Sequence, residues 1–273
     1  MKKHLFFVIL SMTFLITSCE QESMNALLSK KIGIFSISET ATIAFSAGNL
    51  QYHPESKKWR FAENQYDFVG EDNKNISSNY DGWIDLFGWG TGANPANSSV
   101  DYNDYQTFVD WGTNKIGDDD PNQWRTLSRD EWDYILYKRK NAELLKGIAQ
   151  VAGINGLILL PDGWSCPADI TFKNGFFTDA NAEYPSTQYN LHQSFTKEEW
   201  QKLEQSNAVF LPNAGIRRGD VYPNEVYYGC YWSKSENYTY DAWFIYIFDY
   251  AAFTDSDENR CVGRSVRLVK DLQ

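Results

Sequence analysis

Apolar residues along this chain recur with two periods, and each period predicts a kind of element. Gly33-Ile34-Phe35-Ser36-Ile37 and Thr42-Ile43-Ala44-Phe45 read as short strands, with Gly48-Asn49 as a turn after them. Trp59-Arg60-Phe61 continues as a further strand. Residues 148–151 and 156–160 read as a hairpin of buried strands, closed by Pro161-Asp162-Gly163, and Val209-Phe210-Leu211-Pro212 as another short strand. Helical spacing places Trp132, Ile135 and Leu136 on one side of a helix over 129–140, and Ser128 with Glu131 supplies the Ser-x-x-Glu capping box ahead of it. Thr196 and Glu199 repeat that signature before a helix at 197–205. Three β-like runs follow, at 229–233, 242–248 and 264–269. In the last, Ser and Arg alternate with Val and Leu, as in a half-buried strand. From Gly70 to Asp120 the chain is rich in Gly, Asn, Ser, Asp and Trp with little periodicity. So long a connection is functional or an insertion, and the N-terminal strands and this segment are expected to decorate the body.

The first 18 residues predict a signal peptide instead of a folded element. Lys2 and Lys3 precede an apolar run from Leu5 to Ile16, and small polar residues follow it. The run is shorter than the roughly 20 residues that cross a bilayer. Ile16-Thr17-Ser18-Cys19 resembles a bacterial lipobox, which implies cleavage before Cys19 and lipidation of that residue. Residues 19–31 would then be a lipidated tether on an outer-membrane lipoprotein, and 32–273 a single domain. Glu20, Gln21 and Glu22 resemble the acidic export signal of surface lipoproteins in some Gram-negative bacteria, and equally a solvated linker.

Composition narrows the function classes. The 273 residues carry a formal charge of −11, and removal of 1–18 takes away two lysines and no acid. Nucleic acid and anionic membrane surfaces both require a basic patch, so neither is an expected partner. Aromatic residues make up 16% of the chain, which is too many for disorder and favours strands over helices. Beyond Cys19 only Cys166, Cys230 and Cys261 remain. An exported compartment permits one disulfide among them, and Cys230–Cys261 is the expected pair. Buried free thiols are the alternative. With His53 and His192 as the only histidines after the signal and no Cys-x-x-Cys, no zinc site and no cofactor are expected. Asp118-Asp119-Asp120 reads as a solvated loop. Asp255-x-Asp257-x-Asn259 echoes a calcium loop, but Arg260 stands where that loop needs glycine. Arg218-Gly219-Asp220 is a tripeptide that chance supplies often. No carboxylate pair, Gly-x-Ser-x-Gly or phosphate loop is visible, so the chain is not expected to be an enzyme.

Two stretches carry a family resemblance. Trp124-Arg125-Thr126-Leu127-Ser128-x-x-Glu131-Trp132 and the terminal Gly263-x-Ser265-Val266-Arg267-Leu268 resemble the C-type lectin fold superfamily. Within it they look like the branch of formylglycine-generating enzymes, Fibrobacter major paralogous domain proteins and the variable proteins of diversity-generating retroelements. Phe45-Ser46-x-Gly48-Asn49-Leu50-Gln51-Tyr52 and Trp59-Arg60-Phe61-Ala62 look like Bacteroides-type exported members. The resemblance spans about residues 32–270 and implies an α+β domain with two helices, antiparallel sheets and extra N-terminal strands. The cysteine motif of the oxidase branch is missing, as are the calcium-ligating Glu-Pro-Asn and Trp-Asn-Asp triplets. The chain has Pro223-Asn224-Glu225 in another order.

The retroelement branch implies a C-terminal ligand face rich in Asn, Tyr, Asp, Ser and Phe. That makes Tyr228, Tyr231, Asn237, Tyr238, Tyr240, Asp241, Asp249, Tyr250, Phe253, Asp255 and Asn259 the candidate ligand-binding residues, over a platform of Trp232, Val266 and Leu268. Tyr offers large contact area at low entropic cost. The expected function is a cell-envelope binding module for a protein or glycan. Rivals are a structural or adhesive surface component and an envelope enzyme related to the oxidase branch. Cys19→Ala should leave the protein unlipidated in the soluble fraction. Membrane association that persists in that variant, measured by fractionation, would overturn the anchor.

Overall fold

The computed structural model describes residues 32–176 and 193–272. The signal segment, Cys19, the tether through residue 31 and His192 lie outside the described residues. Strand β1 (Phe35–Ser36) pairs with β2 (Thr42–Phe45), and β2 pairs in turn with β12 (Val269–Leu272), from Phe45↔Val269 to Thr42↔Leu272. β3 (Leu50–His53) and β4 (Lys58–Phe61) form a separate hairpin. β5 (Lys146–Val151) and β6 (Ile154–Leu159) are the expected buried hairpin. It turns through Ala152 and Gly153, both at positive φ (51° and 85°), the two-residue turn that matches strand twist. β7 (Gln193–Phe195) adds in parallel to β5, and β8 (Val209–Pro212) adds antiparallel to β6. β9 (Gly229–Asn237), β10 (Asp241–Ile247) and β11 (Ala252–Asn259) make an antiparallel meander. With two short α-helices among the described residues, the architecture is α+β.

Both capping boxes form as the sequence predicts. Ser128 Oγ accepts from Glu131 N at the start of α1 (Arg129–Asp133), and Thr196 Oγ1 accepts from Glu199 N at the start of α2 (Lys197–Gln205). The first helix was expected to reach 140. Its α-helical part ends at Asp133, and Tyr134–Lys138 continue as a π-helical turn. The reason lies in two buried cations. Arg139 Nε donates to the Ile135 carbonyl at 2.8 Å, and Lys146 Nζ donates to that of Leu136. These carbonyls would otherwise accept from the next turn of helix, and positive charge suits the helix C-terminus.

The central strands lie between two apolar cores. Successive side chains of a strand point to opposite faces. Trp232 and Phe244 therefore enter one core with Leu50, Trp59 and Trp111, while Tyr231 and Ile245 enter the other with Phe35, Trp132 and Leu211. The 70–120 segment, expected as decoration, supplies Ile84, Phe87, Trp89, Trp111 and Ile116 to the first core. It has almost no ladder, so isolated bridges, turns and side chains together satisfy its backbone. Asp110 accepts from Thr126 N, Thr126 Oγ1 and Gly112 N at 2.9–3.0 Å. Gly112 is obligatory there, because a Cβ would stand 1.8 Å from the Trp124 carbonyl oxygen.

Residues 264–269 depart further from expectation. All are buried, including Arg264 and Arg267. The stretch pairs with a different part of the chain at nearly every step. Gly263 exchanges bonds with Arg217, Arg264 with Phe87, and Ser265 with Cys230 and Trp232. Val266 accepts from Leu50 N, Leu268 from Ser46 N, and Val269 exchanges with Arg125. Arg264 lies 3.6 Å above the Phe244 ring and pairs with Glu258 at 2.8 Å. Arg267 reaches only neutral acceptors, Asn49 Oδ1 at 3.4 Å and Gln65 Oε1 at 2.5 Å, and burial lowers its pKa to about 10.

Asp85 anchors the irregular segment in the same way. Its carboxylate accepts from Val69 N and Asn73 Nδ2, each at 2.8 Å, and Asn73 Oδ1 accepts from the backbone N–H of Asp85 and Leu86. Burial outweighs these bonds and raises the Asp85 pKa from 3.8 to about 6. The folded protein thus holds a proton that the unfolded chain releases. The stability this group contributes is complete below about pH 4 and is lost as pH rises through about 6, a change of up to about 3 kcal/mol. Urea unfolding should therefore show the advantage of wild type over Asp85→Asn shrinking by up to that amount between pH 4 and 7. A difference that is constant with pH would overturn the assignment.

Candidate functional site

The described residues have few large apolar side chains in solvent, and four of them gather on three neighbouring loops. They are Tyr238 (82% exposed) and Tyr240 (42%) on the β9–β10 turn, Val100 (70%) on the 97–105 loop, and Val221 (57%) on the 217–221 turn. Tyr102 links the first two loops, its ring centroid 3.9 Å from that of Tyr240. The hydrogen bond with Tyr240 is the largest cause of the raised Tyr102 pKa. Gly219 links the second pair, since a Cβ there would lie 3.0 Å from Val100 Cγ1.

Two buried arginines hold these loops from beneath. Arg260 lies over the Trp89 ring at 4.4 Å and donates to the carbonyls of Tyr238 and Asp241, both at 3.1 Å, with Glu236 as counter-ion at 3.2 Å. That grip fixes Tyr238 at a φ of 49°, where a non-glycine residue needs support. Arg217 has no ion pair among the described residues. It donates to the Leu86, Gly219 and Asn97 carbonyls, so it ties the 97–105 loop to the 217–221 turn. Desolvation lowers its pKa. Arg218 adds a more exposed pair with Glu258 at 3.0 Å. A planar donor fork suits this role, because one side chain satisfies several carbonyls at fixed angles. The result is an apolar and tyrosine-rich rim on loops that cannot move independently.

The structure sorts the expected ligand residues into separate groups. Asn237, Tyr238, Tyr240 and Asp241 are at the rim, with Asn259 paired beside Asp241. Desolvation, then Asp257 and Glu258, raise the Asp241 carboxyl pKa. Asn259 turns its Oδ1 inward to accept from Cys261 N. Asp249, Tyr250 and Phe253 lie at the other end of the seven-residue strand β10, about 20 Å away. There Tyr250 and Phe253 join Tyr246 and Phe248 in a run of ring contacts 4.0–6.2 Å between centroids. Asp255 is exposed midway along β11.

Two expected ligand residues are corrected outright. Tyr231 is wholly buried, with its hydroxyl donating to the Pro212 carbonyl at 2.9 Å and accepting from Asn49 Nδ2 at 3.1 Å. Tyr228 is buried and donates to Glu225. Tyr231 lies on a sheet covered on both sides and has no outward face to occupy, while Tyr228 packs in the first core just before β9 begins. The expected Cys230–Cys261 bridge is also absent, since both are free thiols. Burial raises the Cys230 pKa to about 11, the state of an unreactive core thiol. Val100, Tyr102, Val221 and Arg217 belong to no motif in the sequence, and Arg260 stands out there only as the residue that breaks a calcium-loop pattern. The one available signal was a lone valine among polar residues at 97–104.

Among the described residues, no helix is long and apolar enough to cross a membrane, and no group of three or more His, Cys, Asp or Glu could hold a metal ion. No family model, no curated protein and no solved structure matches this chain. Arg260→Met keeps the stacking on Trp89 and removes both carbonyl bonds, while the released Glu236 stays exposed. Amide hydrogen exchange at 237–241 should accelerate about tenfold, the size of one such bond, with β5 and β6 unchanged. Unaltered exchange at the tip would overturn the bracing role.

Proposed function

We propose that this protein is a lipid-anchored binding module of the cell envelope, built on a C-type lectin-like fold. Its partner docks on the rim formed by Val100, Tyr102, Val221, Tyr238 and Tyr240. The observation that carries the reading is the convergence of four of the most exposed apolar side chains on three mutually braced loops. Isolated surface hydrophobics are ordinary, but a gathered set rimmed by charge marks an interaction site. Tyrosines on rigid loops carry much of the energy of such surfaces, since little side-chain freedom remains to be lost on binding.

Exposed apolar and tyrosine side chains gathered on braced loops favour a protein surface over a small sugar. Support for the lectin-like fold comes from the pairing of β2 with β12, the two capped helices and the C-terminal meander. The Asn, Tyr and Asp residues expected from a diversified segment fit at 237–241, on the loop where change disturbs the core least. The lipobox at Cys19 supports an outer-membrane location.

The test is a selection against peptide display and glycan arrays with wild type, followed by the triple variant Val100→Ser, Tyr238→Ala, Tyr240→Ala. A protein ligand should lose affinity by at least about a hundredfold, since central tyrosines each contribute about 2 kcal/mol or more. The thermal unfolding midpoint should not move. Selected ligands that bind wild type and variant equally would overturn the rim. A ligand drawn only from the glycan array, and lost in the variant, would replace the protein partner with a sugar.

A further inference from the structure

We propose that a cleft beside the β3–β4 hairpin is a second binding site, whose ligand is a small cationic zwitterion such as a basic amino acid or a peptide ending in one. The alternation of the hairpin creates the cleft. Leu50, Tyr52, Trp59 and Phe61 turn toward the first core, so Gln51, His53 and Arg60 face the other way. The 67–83 segment passes along that polar side and encloses about 490 Å³. That volume lies within the usual range of small-molecule sites. The Asn73–Asp85 clamp fixes the far wall.

Arg60 is the centre of the site. Its guanidinium stacks on the Trp83 ring at 3.8 Å, and its Nε donates to Gln51 Oε1 at 2.8 Å. Both contacts set its plane, and neither Nη group has a hydrogen-bond partner among the described residues. Glu63, Asp67, Asp72 and Asp81 line the same cleft, yet no described carboxylate lies within ion-pair distance of Arg60. Asp81 is instead 3.4 Å from His53 Nε2. A guanidinium held in this way matches a carboxylate bidentately. Four carboxylates around it require that the rest of the ligand be positive.

That charge pattern decides against simpler ligands. An anion alone would be repelled by the acidic rim. A metal ion has no converging set of three ligands among the described residues. A neutral sugar would leave both charge sets without a counter-charge. A ligand with one carboxylate and an excess of ammonium groups satisfies both.

Isothermal titration of the full chain with L-lysine at low salt tests the site, with L-lysine methyl ester and maltose as comparison probes. Wild type should bind lysine, bind the ester about tenfold or more weakly, and ignore maltose. Arg60→Gln, at an exposed position, should unfold at the same urea concentration as wild type and bind lysine and ester alike. No lysine binding, equal binding of lysine and ester by wild type, or preference for maltose would each overturn the proposal. The site shares no residue with the Tyr238–Tyr240 rim. Lysine binding should therefore survive Tyr238→Ala with Tyr240→Ala, and its loss there would overturn an independent cleft.

Discussion

The fold depends on backbone pairing by residues 263–269, which give hydrogen-bond partners to six separated parts of the chain. Few of those parts could satisfy their own polar groups. The N-terminal strands are two to four residues long, and the 84–90 run has no regular ladder. Once threaded between them, the closing stretch removes the need for water at each site. Its side chains then divide the interior. Val266 and Leu268 join the first core, and Val269 joins the second. The closing stretch thus borders both of the cores that the β9–β10 strands separate.

Buried arginine is the chemical means by which irregular backbone is tolerated here. Arg217, Arg260, Arg264 and Arg267 are all buried, and each meets a different mixture of partners. Arg264 has a carboxylate and aromatic faces, whereas among the described residues Arg217 and Arg267 donate only to neutral oxygens. Taking such a charge out of water is costly. The cost is offset by several charge-assisted bonds to carbonyls that would otherwise lack donors. Where strands supply a ladder, as in β5 and β6, the buried cations instead collect at the end of α1. The same device therefore shapes a helix terminus, the centre of the fold and the exposed rim.

Local rules were readable in the sequence, and long-range ones were not. Ser128-x-x-Glu131 and Thr196-x-x-Glu199 specify their caps within four residues, so both could be placed in advance. The turn at Ala152-Gly153 is equally local. The burial of Arg267 and Tyr231 has no local signature, because it depends on Gln65, Asn49 and Pro212, which lie elsewhere in the chain. Alternating Ser/Arg and Val/Leu looks the same whether one face or both are covered. The core role of the 70–120 segment is hidden for a related reason. Its core residues are spaced by turns and follow neither period, so their apolar character did not register as an element. Of the proposed rim, Tyr238 and Tyr240 were legible from residue type. The partners that make it a surface, Val100, Tyr102 and Val221, come from loops that only the fold brings near.

The direction of pairing also sets a schedule. Ser46, Leu50, Phe87, Arg125, Arg217 and Cys230 all precede residues 263–269, so a ribosome completes every one of them before the segment that joins them exists. Contacts separated by up to about two hundred residues close late. Until translation has passed Val269, these pairings are missing and the interior cannot close.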